Sequence, residues 1–358
     1  MAKKRLLKTK EFFFMAQHLP WVDNSKAICM IGVYLLHSEA YYGVGNFRLG
    51  IIFSPFYVNL FFFVSGYLLF FKLFKTNKLN GGGYVGFLNN LLFRLVLPSI
   101  IFSSLLFVPK MLFHSSEITI VKFIINVFGG VSYWFTSALL ISQFVVITLF
   151  FIFKKKNIWY YFCFCIVFFF LGWYLNDIRV DSCAESFFPW FWKTGLEYTL
   201  IIVLGGVYYR YEEIIKVYNR NIVLVAFVLY VFYIVMSYQG TMFGLMGLGG
   251  RCDAMGLLVI IVGIMLVVFI SNMIKENRVL MFIGSNSIIF YFLSGLFPAA
   301  VGYFAKIFFP NKIYFITILV TLFSLILAWS TTLLINKYMP FLVDIRKLID
   351  GKNGRNIR

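Results

Sequence analysis

The sequence predicts an all-α polytopic membrane protein with about ten transmembrane helices and both termini in the cytoplasm. Composition is the first observation, because 61% of the 358 residues are hydrophobic and only 13% are charged. A soluble core cannot absorb that much apolar surface. The second observation is that runs of about 20 apolar residues, long enough to cross a bilayer as a helix, recur throughout the chain. The third is the uneven distribution of Lys and Arg between alternate connecting segments.

Ten apolar runs give the predicted helices in order. The first is bounded by Lys26 and His37, the second is Phe-rich and ends before Lys72, and the third begins beside Arg94. The fourth ends before the three lysines at 154–156. The ten segments are 21–41, 51–71, 91–109, 133–153, 158–175, 190–209, 221–238, 253–273, 282–304 and 313–336.

The orientation follows from the basic residues. If the N-terminus is inside, most of the 32 Lys and Arg residues fall in inside segments, including KKRLLKTK at the start and six between Lys337 and Arg358. Basic residues concentrate on the cytoplasmic side of membrane proteins. We therefore predict that both termini are inside, in the inner (plasma) membrane of the cell. The net charge of +18 reflects this topology and not nucleic-acid binding, since no basic patch interleaves with a soluble fold.

A single membrane domain, residues 21–338, is predicted between two basic ends. Residues 1–20 contain the apolar patch FFFMA, which is too short for a cleaved signal peptide and has no small-residue cleavage site after it. We expect this segment to be partly amphipathic and to lie on the inner leaflet, where anionic lipids attract Lys. Residues 339–358 form a basic cytoplasmic tail.

The first helix carries two basic side chains on one face. Lys26 and His37 are eleven residues apart, which at 100° per residue leaves them about 20° from alignment and about 16 Å apart along the axis. That separation excludes a direct contact. An ionisable group within a membrane helix is costly unless it faces protein or a wet cavity, so His37 is a functional candidate. The alternative is a neutral histidine that is hydrogen-bonded in the core.

Four stretches resemble the membrane-bound acyltransferase-3 family. WVDNSKAICMIGVYLLH (21–37) is similar to the family's opening, in which a basic residue and a histidine are separated by ten positions. NLFFFVSGYLLF (59–70), FRLVLPSII (93–101) and IGSNSIIFYFLSGLF (283–297) resemble its second, third and late helices. One position departs from the pattern, because Ser294 stands where many members carry a second membrane histidine. The compact chain is most similar to the branch that acylates exopolysaccharide sugars.

The resemblance implies an O-acyltransferase that transfers an acyl group, with acetyl expected before succinyl, from a cytoplasmic acyl-CoA to a hydroxyl of a sugar or glycan. No bound cofactor is implied; acyl-CoA is a substrate. His37 would be the catalytic residue, either as general base for the hydroxyl or as a nucleophile that carries the acyl group. Lys26 would bind the anionic end of the donor, and its alternative role is an interfacial anchor to lipid phosphate.

Three more charged residues are candidates near the inside face. Asp23 precedes Lys26 by three residues and either pairs with it or acts as a helix-start carboxylate. Arg94 and Arg210 are candidate contacts for the phosphates of the donor, since the guanidinium matches phosphate geometry. Their alternative role is to mark the cytoplasmic side.

Polar residues within later helices complete the candidate set. Glu197 either orients His37, binds the sugar or pairs with Lys193 four residues earlier. Asn286 and Ser287 are equally consistent with substrate binding and with hydrogen bonds that join helices.

Other function classes have less support. The histidines are isolated and the cysteines lack paired ligand spacing, so no metal site is predicted. The main alternative function is a polysaccharide or lipid-linked sugar transporter, but the inverted repeats and paired broken helices typical of transporters are not evident. A polysaccharide polymerase would usually have a large outer loop, and the predicted outer loops are short.

The predicted topology places Cys183 and Cys252 in outer loops and the other three cysteines in apolar runs. The two loop cysteines are either joined by a disulfide, which requires Cα atoms within about 7 Å, or are independent thiols. We predict that a membrane-impermeant thiol reagent labels both of them on intact cells once disulfides are reduced. Labelling without reduction would exclude the disulfide. Protection of both after reduction would contradict the outside assignment.

Overall fold

The computed structural model describes residues 19–43, 49–75, 83–113, 117–153, 157–177, 189–238, 254–311, 314–344 and 346, and these residues contain helices and no strand. The α-helices are α1 (Pro20–Tyr42), α2 (Gly50–Phe53), α3 (Asn59–Lys75), α4 (Gly83–Leu91), α5 (Leu97–Phe113), α6 (Ile120–Phe128), α7 (Trp134–Phe153), α8 (Ile158–Asp177), α9 (Trp192–Tyr238), α10 (Ala254–Met273), α11 (Arg278–Ser285), α12 (Ser287–Ser294), α13 (Phe297–Phe308) and α14 (Tyr314–Tyr338).

The all-α membrane fold is confirmed. Five helical segments are long and apolar enough to cross a bilayer, and two bent helix pairs raise the number to seven. Helix α1, which carries charged residues near both ends, and α3, with 17 residues, are not among them. The count of ten spans and the cytoplasmic location of both termini stay predictions.

Three predicted helices differ in shape from the expectation. The segment predicted at 51–71 is divided into α2 and α3, and Pro55 lies between them. The segments predicted at 190–209 and 221–238 form one helix, α9. Its arms, Trp192–Lys216 and Asn221–Ser237, are bent by 117° relative to each other, and its backbone also leaves helical geometry at Tyr211. The segment predicted at 282–304 is α11, α12 and α13, with a 43° bend between the last two.

Backbone chemistry explains the breaks in that late segment. Asn286 ends α11, and its side-chain Nδ2 donates to Phe282 O at 2.8 Å, so the amide competes with the helical pattern. Pro298 lies in the first turn of α13, where its missing N–H is tolerated, but its ring would clash with the carbonyl of Ser294 in a continuous helix. The hydrophobic pattern of the sequence continues on both sides of each interruption, so it does not predict them.

Helix α1 lies at the centre of one half of the bundle and packs against α10, α11, α13 and α14. The other half is built on α9, which packs against α3, α7 and α8. The short helices α4 and α6 were not predicted. Helix α6 is amphipathic and its exposed apolar residues include Ile120, Val121 and Ile124.

Two predicted terminal segments and two cysteines fall largely outside the described residues. Only 19 and 20 of segment 1–20, and only 339–344 and 346 of tail 339–358, are described. Cys183 and Cys252 lie outside as well. Cys29, Cys163 and Cys165 are free thiols in helices; Cys163 is exposed and the other two are buried.

Helices α3 and α9 approach closely at two glycines. A Cβ on Gly66 would collide with the carbonyl of Ile202, and a Cβ on Gly205 would collide with that of Phe63. Small residues let membrane helices reach this backbone contact, where dispersion forces replace the absent hydrophobic driving force.

We predict that Gly66→Val destabilises the protein by about 3 kcal/mol or more, because backbone atoms of α9 cannot yield to the added side chain. The measurement is the thermal unfolding midpoint in detergent. Gly86→Val is the matched control, since a Cβ on Gly86 has no atom within 4 Å in the described structure. Equal midpoints for the two variants would contradict the close packing of α3 on α9.

Candidate active site

A cavity of about 260 Å³ within the bundle brings three of the predicted site residues together. Lys26 of α1, Arg94 and Ser287 of α12 line it, and α3 and α7 supply apolar walls that include Phe61 and Phe135. The first half of α1, the first two-thirds of α3 and the first turns of α7 and α12 line this cavity, together with the segment before α5 that carries Arg94. In the predicted topology Lys26, Arg94 and Ser287 lie toward the cytoplasmic side, and Phe135 lies near the outer start of its helix.

A second cavity of about 210 Å³ adjoins the first. The two share Ser65, Leu68, Arg94, Leu95 and Leu139, so one wall serves both. The second cavity adds Lys72, at the end of α3, and Asn90, at the end of α4. Together we call them the basic cleft.

The sequence FRLVLP explains how Arg94 reaches this cleft. Between α4 and α5 the helix widens into a π turn, Leu92–Val96, in which Leu97 N–H donates to Leu92 O. In an α-helix the ring of Pro98 would clash with the carbonyl of Arg94, and the wider turn avoids that clash. Single π turns inside helices are common at functional sites. Arg94 is exposed on this turn and is directed into both cavities.

Lys26 is held by an ion pair. Its Nζ donates to Asp23 Oδ1 at 3.1 Å, and the side chains of Lys26 and Asp23 are 20% and 7% exposed. Asp23 is also fixed through its backbone, because a Cβ on Gly284 of α11 would collide with Asp23 O. The expected pairing of these two residues is therefore present. Their role in donor binding stays a prediction.

The charge of the cleft favours an anion. The basic side chains that line it are Lys26, Lys72 and Arg94. Asp23 forms an ion pair with Lys26 and offsets its charge. Clefts lined by one sign of charge attract ligands of the opposite sign. Sequence reasoning missed Lys72, which it used only to assign topology. The signal was available, since Ser65, Leu68 and Lys72 have helical spacing and share a face.

His37 lies further along α1, outside the cleft. Met30 is the α1 residue furthest along the helix that lines the cleft, and it is seven positions, or about 10 Å, before His37. The imidazole is half-buried and stacks on Tyr41, with ring centroids 5.8 Å apart and planes 10° apart. The same face of α1 thus carries Lys26 at the cleft and His37 beyond it.

Buried aromatic residues occupy the level between Met30 and His37. Tyr34 OH donates to Phe290 O at 2.9 Å, and Tyr133 OH donates to Phe292 O at 3.0 Å. Phe102 of α5 stacks on Phe292 with centroids 4.5 Å apart. All five side chains are at most 4% exposed. We call Tyr34, Phe102, Tyr133, Phe290 and Phe292 the aromatic layer.

Glu39, two residues after His37, was not singled out from the sequence. It is buried, and its Oε1 accepts hydrogen bonds from Gly50 N–H at 3.0 Å and from Tyr314 OH at 2.9 Å. The carboxylate therefore joins the end of α1 to the starts of α2 and α14. Glu39 fixes the segment of α1 that carries His37.

The structure places Glu197 and Arg210 away from the cleft. Glu197 is buried against α8, where a Cβ on Gly172 would lie 2.9 Å from its Cγ. Lys193 Nζ donates to Leu175 O at 3.0 Å. Arg210 is exposed beside the bend of α9. Neither Glu197 nor Arg210 lines either part of the basic cleft.

Asn286 and Ser287 separate into two roles. Asn286 Oδ1 accepts a hydrogen bond from Asn336 Nδ2 at 2.8 Å, which joins the α11–α12 break to α14. This contact agrees with the helix-joining alternative. Ser287, the next residue, lines the basic cleft beside Lys26. One residue of the pair is thus available to a ligand.

Comparison with known proteins identifies the family of the chain. The model of acyltransferase family 3, described as an acyltransferase domain, matches residues 19–334. This range covers most of the chain and includes Lys26, His37, Arg94 and Ser287. No curated protein and no solved structure matches the chain. The resemblance inferred from the four sequence stretches is confirmed, and the chain belongs to acyltransferase family 3.

Proposed function

We propose that the protein is an O-acyltransferase of the inner (plasma) membrane that transfers an acyl group, with acetyl as the first choice, from cytoplasmic acyl-CoA to a hydroxyl of a cell-surface or exported polysaccharide. The observation that carries the proposal is the basic cleft, in which Lys26 and Arg94 meet in a chain of an acyltransferase family. Membership of that family favours transfer chemistry over the transporter alternative.

The shape and charge of the cleft support an acyl-CoA donor. Lys72 and Arg94 are exposed at its entrance and suit the phosphates, and Arg binds phosphate through a planar fork of donors. Further in, Phe61, Leu68 and Phe135 form apolar walls for the thin pantetheine arm. The thioester would have to pass the aromatic layer to reach His37, so this donor requires side-chain rearrangement there.

His37 supplies the acid–base chemistry of this proposal. As general base, its neutral imidazole accepts the proton of the acceptor hydroxyl while the oxygen attacks the thioester carbonyl. The tetrahedral oxyanion then collapses, the ester forms, and the CoA thiolate leaves and takes a proton from the imidazolium. In the second course, His37 attacks the thioester itself and the CoA thiolate leaves. The hydroxyl then attacks the acyl-imidazole, the ester forms and the imidazole is regenerated, and the proton lost by the hydroxyl is taken up by the thiolate.

The decisive experiment on the overall proposal is chemical analysis of surface and secreted polysaccharide from cells with and without the gene. We expect one ester to be missing without the gene and to return on complementation. Identical ester content in both cells would refute a polysaccharide acceptor.

We predict that His37→Gln lowers acyl transfer at least about 100-fold, because the amide retains hydrogen-bonding groups but cannot accept the proton. Transfer is measured as ester formed per amount of membrane-inserted protein. The thermal unfolding midpoint serves as the control and should stay near that of the wild type. Full activity in this variant would exclude both courses of the reaction.

We predict that Lys26→Ala raises the donor KM about tenfold and changes kcat little, since the ammonium contacts the anionic donor and not the reacting atoms. Lys26→Arg should retain most of the affinity. Lys275→Ala is the matched control, because Lys275 is an exposed basic residue on the same predicted side and does not line the cleft. A fall in kcat alone at saturating donor would contradict this role.

A further inference from the structure

The chain after α14 returns to the entrance of the basic cleft. Following the short 3₁₀ turn Pro340–Leu342, Arg346 contacts the helix that carries Asn90. Arg346 Nη1 donates to Asn90 Oδ1 at 2.8 Å, and its guanidinium carbon lies 5.7 Å from the centre of the Phe93 ring. These contacts join positions 256 residues apart.

Asp344 orients this guanidinium. Arg346 Nε donates to Asp344 Oδ1 at 2.8 Å and Nη2 donates to Oδ2 at 2.6 Å, so the pair is bidentate. These hydrogen bonds lower the pKa of Asp344, and the positive charge of Arg94 adds to the effect. Asp344 therefore lies close enough to Arg94 to interact with its charge. The Arg346 side chain is 34% exposed, so surrounding packing alone does not fix it. Its position depends on the hydrogen bonds to Asp344 and Asn90.

Asn90 connects the C-terminal segment to the cleft. It lines the cavity that also contains Lys72 and Arg94, and it is four residues, or about one helical turn, before Arg94. Phe93 and Arg94 are in the π turn, a geometry that occurs mostly as single turns and depends on its surroundings. Arg346 therefore contacts Asn90, two positions before the turn, and Phe93 within it.

We propose that Arg346 is a positioning residue of the donor site, and that the contacts among Asp344, Arg346, Asn90 and Phe93, which we call the C-terminal clasp, keep the Arg94 turn in the geometry that binds the phosphates of the donor. The inference rests on the proposed function, because it assumes a phosphate-bearing donor in the basic cleft. Arg346 is not itself assigned to the phosphates, since its Nε, Nη1 and Nη2 already donate within the clasp.

The test uses the full-length protein in detergent or nanodiscs and CoA as the probe. Arg346→Ala, Asn90→Ala and the double variant are compared for CoA Kd, donor KM and kcat. Each single variant should weaken CoA binding about five- to tenfold with kcat within about twofold, the size expected for the loss of one ordinary hydrogen bond. Both substitutions remove the same contact. The double variant should therefore bind CoA with about the same affinity as the single variant that binds it less tightly.

Two further variants separate positioning from charge. Arg346→Lys should not restore affinity, because an ammonium cannot bind Asp344 in a fork and reach Asn90 at the same time. Lys337→Ala is the matched control, since Lys337 is an exposed basic residue near the C-terminal end whose contact in the described structure is the Tyr338 ring. Hydrogen exchange over 90–97 should accelerate in Arg346→Ala and not in Lys337→Ala.

The outcomes are distinguishable. Unchanged CoA binding in Arg346→Ala, with Lys26→Ala impaired, would overturn the clasp and leave the proposed function standing. Full rescue by Arg346→Lys, or multiplicative effects in the double variant, would also overturn it. A wild-type protein that binds no CoA would overturn the donor assignment and this inference together, whatever the exchange data show.

Discussion

The arrangement of this bundle depends on the cost of placing charge among apolar helices. Lipid cannot solvate an ammonium or a guanidinium, so each must face protein, water or a partner of opposite charge. Lys26 satisfies the requirement through Asp23 and through a cavity that opens toward Lys72 and Arg94. The helices around the cleft therefore place polar residues toward it. Most of their other residues are apolar and pack away from it.

The irregular backbone follows the same constraint. Interrupted helices are tolerated at membrane depth only where protein covers the freed groups. The π turn before Pro98 and the α11–α12 break at Asn286 adjoin the basic cleft, and the α12–α13 bend follows it along the same segment. The break at Asn286 is joined to α14 by Asn336. Two of the interruptions thus adjoin the cleft, whereas the bend of α9 lies outside its lining.

Much of the fold was predictable because apolar run length and basic-residue bias are local properties. The prediction for α1 differs from the structure by one residue at each end, and the pairing of Asp23 with Lys26 follows from helical spacing. What local patterns could not reveal was the direction of a buried side chain. Glu197 packs toward α8, and only the packing of α9 between two neighbours decides this.

Contacts between residues distant in the sequence could not be predicted either. The contact between Arg346 and Asn90 joins positions 256 residues apart, and no sequence spacing encodes it. Lys72 lines the cleft because the end of α3 lies beside the π turn, and the sequence does not show that the two segments are neighbours. The bend in α9 at Tyr211 likewise lacks a proline or glycine at that residue, so the sequence contains no conventional signal for it.

The aromatic layer has a consequence for the cell as a whole. A cation-lined cleft that continued through the protein would be an anion-conducting pore and would dissipate the electrochemical gradient that the membrane maintains. Five buried rings, two of them tied to backbone carbonyls of α12, close the route between the cleft and the level of His37. Under the proposed function, with a cytoplasmic donor and an exported acceptor, the protein must let a narrow acyl chain through while it keeps ions and bulk water apart.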